Sequence, residues 1–144
     1  MDIKPIDILL IEDNPGDIRL TQEALKEGKL LNQLFIARDG VEAMQFLHAE
    51  MQSSGRDKPD LILLDLNLPR KNGFEVLQEI KSDPDLRRIP VVVLTTSKAE
   101  EDILQSYDLH ANCFITKPVD MGQFMQIVGN IRHFWISIVQ LSSN

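Results

Sequence analysis

Five short apolar runs, at about 7–11, 34–37, 61–64, 91–94 and 113–116, alternate along the chain with stretches of helical spacing. Runs of four or five apolar residues are too short for core helices and lack the polar alternation of half-exposed strands. They read as strands buried on both faces. The first intervening helix begins at Asn14-Pro15, an N-cap followed by a proline whose missing N–H has no partner to lose. It carries Ile18, Thr21 and Leu25 on one face and stops near Gly28. The second runs from about Gly40 through Ala43, Met44 and Leu47. The third starts after Asn72-Gly73 and is expected to bury Phe74, Leu77 and Ile80. A fourth starts near Ala99 with Ile103, Leu104 and Tyr107 inward, and a fifth runs from Asp120 to about 139. Five strand–helix repeats predict an α/β fold with a doubly wound parallel five-stranded sheet, because right-handed crossovers place helices on both faces. The whole chain, 1–144, suits one domain, and no linker or output domain is expected after the last helix.

In such sheets ligands bind outside the carboxyl ends of the strands, and that is where this chain concentrates its polar chemistry. Ile8 to Ile11 runs into Glu12-Asp13, and Leu61 to Leu64 ends in Asp65. Val91 to Leu94 ends in Thr95-Thr96-Ser97, and Cys113 to Thr116 runs into Lys117-Pro118. Three carboxylates, a hydroxyl and a lysine therefore converge on one sheet edge. Singly, each reads as a helix cap or a surface charge; together they predict an acidic, metal-assisted phosphoryl site. Asp65 is the nucleophile candidate, and an exposed, ionised carboxylate is what that chemistry calls for. Like charges held close disfavour ionisation, so Glu12 and Asp13 beside Asp65 call for a cation. Mg²⁺ fits, since it accepts one or two carboxylates, keeps several waters and takes a phosphate oxygen. The backbone carbonyl of Asn67 can supply one more oxygen. Lys117 and Thr95 can hold phosphoryl oxygens as a point charge and a hydroxyl donor.

Composition narrows the alternatives. A net charge of −7 excludes the basic surface that nonspecific nucleic-acid binding needs. The single cysteine, Cys113, leaves no internal disulfide and reads as a small buried hydrophobe. No signal pattern and no apolar run of about 18 residues occurs, so a cytoplasmic protein with no membrane partner is expected. His48, His110 and His133 lack metal-ligand spacing, and no phosphate-cradling or dinucleotide glycine motif is present. A phosphohydrolase with an Asp-x-Asp pair is disfavoured because the second position is Asn67.

The set Glu12-Asp13, Asp65, Pro69, Gly73, Thr95 and Lys117-Pro118, in this order and spacing, resembles the response-regulator receiver domains of bacterial two-component signalling. The likeness covers nearly the whole chain. It implies a flavodoxin-like sheet of strand order 2-1-3-4-5, and phosphorylation of Asp65 by a sensor histidine kinase. It also implies Mg²⁺ held by Glu12, Asp13, Asp65 and the Asn67 carbonyl, and a signalling protein rather than an enzyme acting on other substrates. Thr95 and Phe114 would form a switch pair that remodels the face of the fourth helix, fifth strand and fifth helix. Small Thr96 leaves room beside the phosphate, and a cis bond before Pro118 is common in the family. The loop from Ser82 to Pro90 and the Phe134-Trp135 tail resemble stand-alone regulators paired with bacterial and cyanobacterial phytochromes. A phosphorylation-independent binding module is the alternative, against which the complete site argues.

The last helix is richer in apolar residues than one buried face requires. Phe124, Ile127, Val128, Ile131, Trp135 and Ile138 form a core-type stripe, and Phe134, Ile136, Val139 and Leu141 widen it. A homodimer using this tail is expected, with Phe134, Trp135, Ile138 and Val139 as interface candidates. A signal on Asp65 must then be read by a downstream protein or by a second copy of the chain.

Overall fold

The computed structural model describes residues 6–27, 32–50, 59–96, 99, 113–117, 119, 122–123 and 126. The strands are β1 (Ile6–Ile11), β2 (Asn32–Ala37), β3 (Leu61–Asp65), β4 (Val91–Thr95) and β5 (Cys113–Thr116). They form one sheet of order β2-β1-β3-β4-β5 with every pairing parallel. The expected doubly wound α/β architecture is what the chain adopts.

Period-two alternation along each strand sends successive side chains to opposite faces. Leu9, Ile11, Ile62, Leu64, Val91 and Val93 enter one core. Ile8, Leu10, Leu61, Leu63, Val92 and Leu94 enter the other. Helix α1 (Pro15–Glu27) covers the second core through Ile18 and Leu25. Helices α2 (Gly40–Gln45) and α3 (Gly73–Ser82) cover the first through Ala43, Met44, Val76, Leu77 and Ile80. Each fully buried Leu or Ile stabilises the fold by about 2 kcal/mol, so the two cores clamp the sheet between its helices.

One core assignment changes. Phe74 is only partly buried, packed against the first core, and Val76 takes a fully buried place on α3. Helix α3 starts at Gly73, with the Asn72 side chain accepting from the Glu75 amide at 3.0 Å. Starting there puts positions 76, 77 and 80 inward, while 74 lies at the flank of the buried arc. After α2 the chain continues as a π-helical turn over Phe46–Glu50, which still buries Leu47.

Several expectations fall outside the described residues: the inward set Ile103, Leu104 and Tyr107, the peptide bond before Pro118, Ser97, and the tail with Phe134, Trp135, Ile138 and Val139. The side chain of Cys113 falls outside them too. No helix among the described residues is long and apolar enough to cross a membrane.

Candidate functional site

Strand register decides which strand-end residues meet. Ile11 pairs with Leu64, so Glu12, one step past β1, stands level with Asp65 at the end of β3. Asp65 pairs with Leu94, and Thr95 with Thr116, so Lys117 emerges one step past β5. Backbone hydrogen bonds continue the ladder by one residue at both places: the Glu12 amide to the Ala37 carbonyl at 2.9 Å, and the Lys117 amide to the Thr95 carbonyl at 2.7 Å. The site residues are thus held by main-chain bonds at the rim of a rigid sheet.

Glu12 and Thr95 are fully buried, Asp65 is 2% exposed and Asp13 faces solvent. One carboxylate oxygen from each of Glu12, Asp13 and Asp65 lies within 4.8 Å of the others. Lys117 Nζ sits among them, 2.7 Å from Glu12 Oε1 and 3.1 Å from Asp65 Oδ1. It is also 3.0 Å from Asp17 Oδ2 on the first turn of α1. The cation that the crowded carboxylates demand is therefore, in this state, the lysine itself. Asp65 is less open than an attacking carboxylate needs to be, because Lys117 lies against it.

Burial pushes the Glu12 carboxyl up to about 7, helped by its hydrogen bond with Asp65 and opposed by Lys117. Burial works against the charge on Lys117, but hydrogen bonds to Glu12 and Asp17 and the nearby negative charges outweigh it. Its pKa lies above the ordinary lysine value. Two effects of pH follow for Glu12. Its folded pKa lies above its ordinary 4.5, so protonation favours the metal-free fold. That contribution is complete below about pH 4.5 and is lost as pH rises through about 7. A divalent cation held by Glu12 would need the ionised form, so its binding would release protons below about pH 7. Calorimetric titrations should show Mg²⁺ affinity rising by up to about tenfold per pH unit toward 7, then levelling.

Thr95 Oγ1 is completely buried and has no hydrogen-bond partner among the described residues. A buried unpaired hydroxyl costs roughly 1–3 kcal/mol, so it marks a place where a further acceptor belongs. Thr95→Val keeps the shape and removes the unsatisfied group. The unmodified protein should be as stable as wild type or up to about 1 kcal/mol more stable in urea titrations.

The loop after β3 carries the remaining groups. The Asn67 amide donates to Asp65 Oδ1 at 3.2 Å, which orients the carboxylate. The Gly73 amide returns to the Leu66 carbonyl at 3.1 Å and closes the loop. A Cβ at Gly73 would stand 2.5 Å from both the Asp65 carbonyl oxygen and Leu66 Cα, so only glycine allows α3 to start this close to the site.

Glu12, Asp13, Asp65, Thr95 and Lys117 are brought together as expected. Asp17 was not anticipated from the sequence. An acidic residue in a first helical turn has an ordinary electrostatic explanation, and only the fold points it at Lys117. Phe114 is partly buried, packed against the core on the face of α2 and α3.

Among known proteins, the model of the response regulator receiver domain matches residues 8–129. The chain belongs to the response-regulator receiver family. This receiver is 51% identical to the response regulator Rcp1 of Synechocystis sp. over 93% of its own length and 91% of that protein's. The structure of the bacteriophytochrome response regulator AtBRR is 42% identical with a TM-score of 0.82, covering 90% of this chain and 94% of that one. The phosphorylated cyanobacterial phytochrome response regulator RcpA is 55% identical with a TM-score of 0.73, covering 94% and 96%. Rcp1 has been solved with Mn²⁺ bound. The receiver is accordingly a two-component signalling module of a family whose members bind divalent metal.

Proposed function

We propose that this receiver takes a phosphoryl group from a sensor histidine kinase onto Asp65, with Mg²⁺ held by Glu12, Asp13, Asp65 and the Asn67 carbonyl. The observation that carries the reading is the Asp65 carboxylate sharing one lysine with Glu12, beside Asp13 and an unpartnered buried hydroxyl. That set has a nucleophile, a metal-type acid cluster, a positive charge and a vacant hydrogen-bond donor. A kinase for phytochrome-type signals is the donor best supported, since the Rcp1, RcpA and AtBRR likenesses span almost the full chain.

In the transfer, an Asp65 carboxylate oxygen forms a bond to phosphorus as the phosphorus–nitrogen bond of the donor phosphohistidine breaks. The imidazole leaves with the bonding electron pair. Bound Mg²⁺ would offset the repulsion between the carboxylate and the incoming phosphoryl oxygens. Lys117 exchanges Asp65 Oδ1 for a phosphoryl oxygen, which frees the nucleophile and keeps the positive charge in the site. Thr95 Oγ1 gains the acceptor it lacks, and its movement toward the phosphoryl group leaves room for Phe114 to turn inward. Phosphorylation then biases a two-state equilibrium. The same acidic pocket would promote loss of the phosphoryl group to water. A homodimer through Phe134, Trp135, Ile138 and Val139 is the proposed means by which the biased state is read.

Incubation with Mg²⁺ and acetyl phosphate tests the assignment. Intact-mass measurement should show one phosphoryl group added to the wild type, none without metal, and none on Asp65→Asn. A gain that survives in Asp65→Asn would remove the assignment.

A further inference from the structure

Arg70, five residues after Asp65, is the one non-glycine residue with positive φ among those described, at 64°. The left-handed conformation suits glycine or asparagine and costs other residues roughly 1–2 kcal/mol. A long charged side chain kept in it calls for a use of that side chain. Its guanidinium Nη1 lies 3.2 Å from Asp39 Oδ2. Asp39 is itself fixed: its other oxygen accepts from the Glu42 amide at 2.8 Å as the N-cap of α2, and the side chain is only 14% exposed. The Glu42 carboxylate in turn accepts from the Arg38 amide at 3.2 Å, which ties down the approach to the cap.

Beside this pair the backbones touch. A Cβ on Gly40 would stand 2.7 Å from both Lys71 Cβ and Val76 Cγ2 and would also meet the Lys71 carbonyl oxygen. Lys71 is paired with Glu79 on α3. The loop from Leu66 to Asn72 is therefore pinned at its near end by Gly73 against Asp65, and at its outer end by the start of α2.

We propose that Asp39 is a positioning residue for the metal site, acting through Arg70 to hold the loop that presents the Asn67 carbonyl. This rests on the reading of Asn67 and the three carboxylates as the metal pocket. Without the ion pair, Arg70 loses its reason to stay left-handed. The loop then samples conformers that turn the Asn67 carbonyl away from the ion, and Mg²⁺ selects against them at a cost in affinity.

The test compares Mg²⁺ binding by isothermal calorimetry in wild type, Asp39→Asn, Arg70→Gln and the double variant, with urea midpoints measured in parallel. Asparagine keeps the N-cap at 39, and glutamine at 70 keeps the φ cost of arginine while removing its charge, so the pair is broken without easing the turn. Each single variant should weaken Mg²⁺ about fivefold, the size of an exposed but well-held ion pair. The double variant should be no weaker than either single one, and the difference from wild type should shrink in about 0.5 M salt. Equal Mg²⁺ affinity in wild type and both variants overturns the latch while leaving the pocket intact. A shift of urea midpoint that accounts for the affinity change assigns the pair to folding alone and overturns it too. Failure of the wild type to bind Mg²⁺ removes the pocket reading, and the latch with it.

Discussion

Lys117→Met is expected to lower the metal-free protein's stability at pH 8 by about 3 kcal/mol, because breaking a buried charge cluster on one side leaves its partners uncompensated. The lysine touches three carboxylates, and its side chain is only 12% exposed. Glu12 and Asp65 are almost fully buried, so water does little to relieve them. The loss should depend on conditions in a way that simple loss of packing would not. It should fall as pH drops toward about 7, because without Lys117 to hold its carboxyl down Glu12 takes up a proton at higher pH than in the wild type. Millimolar Mg²⁺ should restore much of it, since the ion replaces the missing charge. Urea unfolding at pH 6 and 8, each with and without Mg²⁺, checks both trends. A loss that is equal in all four conditions would mean that Lys117 acts by filling space. The variant should bind Mg²⁺ more tightly than wild type relative to its own metal-free state, yet phosphorylate poorly, because no charge remains to take up the phosphoryl oxygen.

Gly73→Ala is expected to cost about 2–4 kcal/mol and to weaken Mg²⁺ binding together with stability. The added Cβ meets backbone at 2.5 Å, namely the Asp65 carbonyl oxygen and Leu66 Cα, which have no flexible end to swing away. Relief requires α3 to slide or the end of β3 to bend, and β3 is held on both sides by β1 and β4. The strain therefore falls on the loop between Asp65 and Asn72, whose Asn67 amide orients the Asp65 carboxylate. Thermal unfolding together with Mg²⁺ titration measures both effects. A variant with wild-type Mg²⁺ affinity would show that α3 gives way and the loop does not.

Strand-end chemistry was legible in the sequence because it needs no knowledge of tertiary contacts. Each apolar run ends at the same sheet edge once the strands are parallel, so Glu12, Asp65, Thr95 and Lys117 could be gathered by counting. The N-cap at Asn14 was equally local, and its side chain accepts from the Asp17 amide three residues on. Helix faces were less secure. Phe74 was expected inside and lies at the flank, because at about 100° per residue it stands well off the arc that Val76, Leu77 and Ile80 share.

Other features had no local sign. Asp17 meets Lys117 across 100 residues of chain. Asp39 meets Arg70 across 31. Neither partner differs in type or spacing from an ordinary surface charge.

By itself, the sequence determined the parallel sheet, the edge at which chemistry collects and the kinds of side chain found there, since hydrophobic period and strand-end placement are properties of neighbouring residues. Only the tertiary structure decided how those side chains share charge: Lys117 serves as counter-ion to Glu12, Asp65 and Asp17, Glu12 is driven toward neutrality, and Thr95 Oγ1 is left without a partner. Burial and distance between segments far apart in the chain set those energies, and neither exists until the sheet has closed.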